Sequence, residues 1–297
     1  MRCVWLLIGL FPILLLAQDF EEVEFYEEAA SFRPFGLQGS YINIQNAEVR
    51  NTNVENQHVR YIQSEVAFAF TYPCNLTSGL IFGAGWVGTE VFLSENPSFN
   101  ESCFNYVTLS LGAFTACLEK WLWTANGSIF IDTDQLDFST YALYQGVLWG
   151  KYQIGDSLEL DIGFIAEVGL KETKIWPILG FSYIFTSNLR LHAIYPVNVI
   201  LEYDLFNCLT AGASIRFLRN RHRVGDDNLM PQAIFEYCSV GGEADLIFSP
   251  SEVFSIRGFA GTTFGGDLKI SNRDNKNTHH YKFKDSFYAG LSATLSF

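Results

Sequence analysis

A chain of 297 residues in which 48% are hydrophobic, 16% aromatic and only 17% charged is richer in rings and poorer in charge than a soluble domain, where about a quarter is charged. Its net charge of −13 excludes nucleic acid as a partner, because that binding runs on Lys and Arg contacts to phosphate. The length admits one large all-β domain or two ordinary domains, and the composition favours one.

Residues 1–17 read as a cleaved signal peptide: Arg2, an apolar core interrupted by Pro12, and Ala17 before polar sequence. Residues 18–33 form an acidic leader carrying Asp19, Glu21, Glu22, Glu24, Glu27 and Glu28, which fits a solvated tail better than a docking peptide. No later stretch reaches the roughly 18 uninterrupted apolar residues of a membrane-spanning helix. An exported, apolar-rich chain without such a helix can cross a bilayer only as a closed barrel. Five cysteines follow the signal: Cys74, Cys103, Cys117, Cys208 and Cys238. The odd number leaves at least one thiol unpaired within the chain, and no spacing suits a metal. The sequons at Asn75, Asn100 and Asn126 are read as chance.

Taken in order, alternating runs are separated by turn-formers. Residues 34–46 make a weak first strand. A second follows over 58–72, where Val66, Phe68, Phe70 and Tyr72 oppose Glu65, Ala67, Ala69 and Thr71; period two gives a strand one oily and one wet face. Further strands are expected near 79–89 and 107–113. Trp121-Leu122-Trp123 reads as a connection to a short strand at 128–131. Strands at 140–152, 158–168, 175–185, 189–195, 198–205 and 208–218 come next, then a basic-to-acidic loop over 219–229. Residues 231–248 carry Gly241-Gly242, and 253–265 leads to a polar loop over 267–280. The final strand, to Phe297, sets Phe287, Ala289, Leu291, Ala293 and Leu295 against Tyr288, Gly290, Ser292, Thr294 and Ser296.

Counting settles Gly241-Gly242. As a turn it yields fifteen strands; as a bulge, which glycine favours, it yields fourteen. With fourteen, the short turns near 73, 155, 187, 206 and 250 share one side with both termini, and the loops near 47, 94, 219 and 267 share the other. That division is characteristic of outer-membrane barrels. The expected fold is therefore all-β, an antiparallel transmembrane β-barrel of about fourteen strands (12 to 16) over residues 34–297. A secreted ligand-binding β-sandwich is the competing architecture.

On this map Trp86, Trp121, Trp123, Trp149 and Trp176 lie toward strand ends as an interfacial belt. Glu65, Glu159, Asp161, Glu167, Arg190, His192, Glu202 and Arg216 point into the lumen. The carboxylates there either favour cations or pair with Arg190, Arg216 and Arg257 as a structural plug. Arg219, Arg221 and Arg223, with His222, fall in an outer loop and are candidates for binding lipid phosphates; the alternative is a solvated loop neutralised by Asp226 and Asp227. Cys74, Cys117 and Cys208 cluster at the periplasmic rim as candidates for disulfides within the barrel or to a periplasmic partner. Phe297 is the expected signal for the barrel-assembly machinery.

The segments Trp176-Pro-Ile-Leu-Gly-Phe-Ser-Tyr183 and Ile194-Tyr-Pro-Val-Asn-Val-Ile-Leu-Glu-Tyr203, echoed by Ile234-Phe-Glu-Tyr237, are similar to a family of bacterial, chlamydial-type outer-membrane barrels. The resemblance covers about the C-terminal half and implies fold and address, with no catalytic residues to carry over.

No Gly-x-Ser-x-Gly, phosphate loop or metal spacing appears, so no cofactor or metal is expected. The reading is a non-enzymatic outer-membrane protein, a small diffusion pore or structural envelope protein, whose partners are outer-membrane lipids and the assembly machinery. An outer-membrane lipid-acting enzyme with His192 as base is the alternative.

Overall fold

The computed structural model describes residues 33–50, 57–94, 101–116, 118–226 and 228–297. The expected signal peptide, the leader to Phe32, Asn100, Cys117 and Asp227 lie outside the described residues. The strands are β1 (Phe35–Glu48), β2 (His58–Asn75), β3 (Ser78–Leu93), β4 (Cys103–Thr115), β5 (Trp121–Asp132), β6 (Leu143–Ile154), β7 (Leu158–Gly169) and β8 (Glu172–Thr186). They continue as β9 (Leu189–Tyr195), β10 (Asn198–Phe206), β11 (Leu209–Arg223), β12 (Ile234–Ser251), β13 (Phe254–Ser271), β14 (His279–Phe283) and β15 (Phe287–Ser296).

β1 to β13 each pair antiparallel with their sequence neighbours, β13 also pairs with β14 and β15, and β15 pairs with β1, so the sheet closes. β14 and β15 lie in series along one edge of β13, separated at residues 284–286, and together fill one position. The ring therefore has fourteen strands. Closure removes the free edges that a bilayer does not tolerate, except where, among the described residues, the short β9 and β10 leave the mouth-side ends of β8 and β11 without a strand partner on one side. Along most strands, exposed apolar side chains such as Phe68, Leu109, Leu111, Ile162 and Phe164 alternate with less exposed inward ones, giving an oily outside and a polar inside.

Several local expectations are corrected. Trp121–Trp123 is not a connection but the start of β5, its Trp-Leu-Trp triplet obeying the same alternation. Gly241 and Gly242 pair in regular register with Arg216 and Ile215. The irregularity is on β13 instead: Ser239 pairs with Gly266 and Gly241 with Thr263, so Phe264 and Gly265 oppose the single residue Val240. Gly265 has φ +81, a conformation that glycine adopts without strain. Residues 219–223 and 267–271 are strand rather than loop, and so are 279–280.

Both termini and the turns at 76–77, 155–157, 187–188 and 252–253 share the terminal end. At the opposite mouth lie the far ends of β1 to β8 and β11 to β13, with the described residues 133–142 and 272–278 connecting β5 to β6 and β13 to β14 there. Two tight connections, at 170–171 and 196–197, also lie at the mouth end. The division by loop length is therefore real but incomplete.

Candidate functional site

The lumen has two chemically different walls. Along β4–β6 its middle is uncharged, with Thr108, Thr124, Asn126, Ser128 and Gln145 buried on the inward face, between Asp132 at the mouth end and Lys151 at the terminal end. Along β9–β13 it is ionic. Glu243 accepts hydrogen bonds from Arg216 at 2.7 and 3.0 Å and from Arg257 at 3.0 Å, and Arg257 also donates to Asp245 at 2.8 Å. Ser214 donates to Glu243 at 2.9 Å. Alternation on three neighbouring strands, β11, β12 and β13, places these side chains side by side, because residues paired across strands share a face. A second cluster sits nearer the terminal end, where Arg190 meets Glu202 at 3.4 Å and Asp204 at 3.3 Å. Lys151 faces Glu159 at 3.2 Å, and Asp161 accepts a hydrogen bond from Trp149 Nε1 at 2.7 Å.

The mouth is different. From Leu218 to Gly225, every residue except Arg219 is buried, and so is every residue from Ala233 to Tyr237; a strand buried on both faces lies inside rather than in a wall. One face of this β11–β12 extension packs toward β2–β4. Asn220 donates to Tyr61 at 3.2 Å and to Thr89 at 2.7 Å, and His222 lies 3.1 Å from Thr89 and stacks on Tyr106 at 4.5 Å. Tyr237 stacks on Tyr61 at 4.1 Å. The other face meets β7 and β8: Arg221 donates to Leu170 O at 2.8 Å and pairs with Glu172 at 3.1 Å. Arg219 pairs with Glu236 at 2.7 Å. The ends of β11 and β12 thus lean across the mouth and fill it.

Glu65, Glu159, Asp161, Glu167, Arg190, His192, Glu202 and Arg216 all lie on inward-facing registers. The structure joins Arg190 to Glu202 and Arg216 to Glu243. Glu167 lies 3.7 Å from Arg221, and His192 Nδ1 lies 2.9 Å from Ser182 Oγ. Arg219, Arg221 and Arg223 are not in a solvated loop. Arg221 and Arg223 are buried, and Arg223 donates to the carbonyls of Gln232 and Arg273 at 3.0 and 3.1 Å. Their density of charge hides the strand because both faces of it are covered, one by carboxylates. Cys74 and Cys208 carry free, exposed thiols. They lie on β2 and beside β11, on opposite arcs of the ring, so no bond joins them. Trp121 and Trp123 stack at the terminal end at 5.1 Å, as a belt requires, whereas Trp149 is buried inside with Trp176 packed against the same cluster. Sequence reasoning missed Glu243, Asp245 and Glu236. The signal was present in the alternation of β12, masked at Glu236 by apolar residues on both sides.

No protein-family model matches the chain. An uncharacterized protein of Chlamydia pneumoniae is 34% identical over 280 residues, covering 89% of this chain and 88% of its own length. A second, from Chlamydia trachomatis serovar D, is 32% identical over 282 residues with the same coverage. Among solved structures, an outer membrane channel from Pseudomonas putida F1 superposes with a TM-score of 0.48 at 9% identity, covering 92% of this chain and 100% of that one. The KdgM porin gives 0.37 at 8% identity, covering 88% and 99%.

Proposed function

We propose a function for a chain that belongs to the family of these chlamydial proteins: it is a bacterial outer-membrane β-barrel that acts as a narrow, normally closed channel. The observation that supports this reading is the ring itself, with an apolar exterior, a hydrogen-bonded ionic wall inside, and its own strands lying across one mouth. The terminal end faces the periplasm and the filled mouth faces outward, as in barrels with short periplasmic turns. Lys151, Arg190, Arg216 and Arg257 are outnumbered by Glu159, Asp161, Glu202, Asp204, Glu243 and Asp245, so the lumen favours cations. Lipids of the outer membrane and the barrel-assembly machinery are its partners. The exposed thiols of Cys74 and Cys208 on the periplasmic rim are open to a disulfide-linked periplasmic partner.

Planar bilayers test the channel. The native chain gives rare, small, cation-selective openings, and Asn220→Ala combined with His222→Ala, which unseats β11 from Thr89, makes them frequent. Heat-dependent gel mobility verifies that each chain is folded. Folded barrels that stay silent in both forms would be structural envelope proteins rather than channels. The His192–Ser182 contact is the one observation favouring an enzyme. Lipid hydrolysis that disappears in His192→Ala is the result that would install that second reading.

A further inference from the structure

The ring is not uniform in height. β9 has 7 residues and β10 has 9, whereas about 9–11 tilted residues are needed to cross a bilayer. Their hairpin stops early. The last pairing of β8 with β9 is Leu179 with Tyr195, and the last of β10 with β11 is Asn198 with Arg216. Beyond those points β8 runs on to Glu172 and β11 to Arg223. Among the described residues no strand pairs with either on that side. The wall therefore has a gap in its mouth-side half, which on the proposed orientation opens within the outer leaflet.

Side chains close this gap in place of a backbone ladder. Lys174 of β8 meets Glu236 of β12 at 2.8 Å, Arg219 of β11 meets the same carboxylate at 2.7 Å, and the Arg219 guanidinium lies 4.3 Å above the Trp176 ring. Arg221 and Lys174 both reach Glu172, at 3.1 and 3.0 Å. Side-chain ion pairs rearrange far more readily than a strand ladder, which must break cooperatively.

Apolar surface stands on both sides of the gap. Outside and just below it, on β10–β13, is a groove of about 530 Å³ lined by Leu201, Ala213, Ile215, Gly242, Ala244 and Phe264. It is a shallow, open groove, and its exposed side chains face hydrocarbon. Inside, the otherwise polar lumen carries an apolar cluster beside the gap: Val147, Trp149, Ile165, Ile178, Ile194 and Val197, with Trp176 against it. Between the two surfaces, Glu236 places a carboxylate between Lys174 and Arg219, a position that the head of an anionic amphiphile can take over.

Building on the channel reading, we propose that the gap between β8 and β11 is a lateral portal through which a single-chain carboxylate amphiphile, of the fatty-acid class, passes between the outer leaflet and the lumen. The acyl chain moves from the outer groove to the inner cluster, while Lys174 and Arg219 hand its carboxylate past Glu236.

The test uses the full chain folded into phosphatidylcholine vesicles and palmitate carrying a diazirine at its chain end, with cross-links mapped by mass spectrometry. Palmitate labels Ile215 and Phe264 outside and Ile178 and Ile194 inside, and Glu236→Gln raises the inner labelling several-fold. In a chain whose native cysteines are serines, Lys174→Cys with Glu236→Cys locks the portal when a bifunctional methanethiosulfonate bridges the two thiols. The inner labels then vanish, the outer ones stay, and reductant restores the inner ones. Phosphatidylcholine bearing the same diazirine labels the outside only. Inner residues that stay unlabelled in Glu236→Gln and in the reduced double-cysteine chain, or that label equally when locked, overturn the portal. Bilayer recordings on the same preparations separate the two readings: a chain that conducts but never labels inside keeps the channel and loses the portal. One that labels inside but never conducts does the reverse.

Discussion

Phe297 closes the barrel onto Phe35: the two residues exchange both backbone hydrogen bonds, at 3.0 and 2.9 Å, and their rings stack with centroids 5.6 Å apart. The terminal aromatic is thus a structural seam as well as a candidate assembly signal, and two variants separate the roles. Deleting Phe297 removes both hydrogen bonds and the ring. Phe297→Ala keeps the backbone and gives up a ring pair worth about 0.5–1.5 kcal/mol beyond its burial. The expected outcome is that refolding into detergent is weakened clearly only by the deletion, whereas the heat-modifiable barrel recovered from cells falls in both. Native levels of barrel in cells carrying Phe297→Ala count against a signal read by an assembly machinery.

The ionic wall carries a second prediction. Glu243 has no exposed side-chain surface and holds Arg216 and Arg257, whose side chains are 6% and 4% exposed. Removing one member of a buried ion cluster strands the others, at a cost of about 3–5 kcal/mol. Glu243→Ala is therefore expected to shift the urea midpoint of the detergent-folded barrel strongly downward. Glu159→Ala, which releases only the more exposed Lys151, shifts it little. Equal shifts would show that Arg216 and Arg257 find other partners.

The alternation of oily and polar residues made the architecture legible, because a wall strand with lipid on one side and lumen on the other must obey it. Leu158 to Val168 is the clearest case, and it became β7 within one residue. Legibility failed where that two-sided environment ends. Asn220 to Arg223 leave the wall and become buried on both faces, so period two no longer reports orientation, and charge there looks like a loop. Trp149 and Trp176 read as belt residues from their positions toward strand ends, yet their registers point inward. The pairings of the site, such as Arg257 with Glu243 and Arg219 with Glu236, depend on the register of β12 against its neighbours. A one-residue irregularity at Phe264–Gly265 sets that register locally, and alternation does not specify where it falls.

The mouth has a pH dependence of its own. Glu101, just before β4, accepts hydrogen bonds from Gly225 N at 2.9 Å and Asn228 Nδ2 at 3.1 Å, and Asn228 Oδ1 accepts from Glu101 N at 3.2 Å, tying the segment before β4 to the one after β11. Burial raises the Glu101 carboxyl above its ordinary value of 4.5 and outweighs the lowering by those hydrogen bonds, while nearby Asp134 pushes it the same way as burial. The tied state therefore binds the proton more readily than the released one, and its stability declines as pH rises from 4.5 through the raised value. A spin label on Leu229→Cys, an exposed position in the tied segment, is expected to be less mobile below this window than above it, in a chain otherwise free of cysteine. Glu101→Gln keeps an oxygen to accept both bonds and removes the titration, so its label stays equally restrained at both pH values. An unchanged pH response in Glu101→Gln would move the effect away from Glu101.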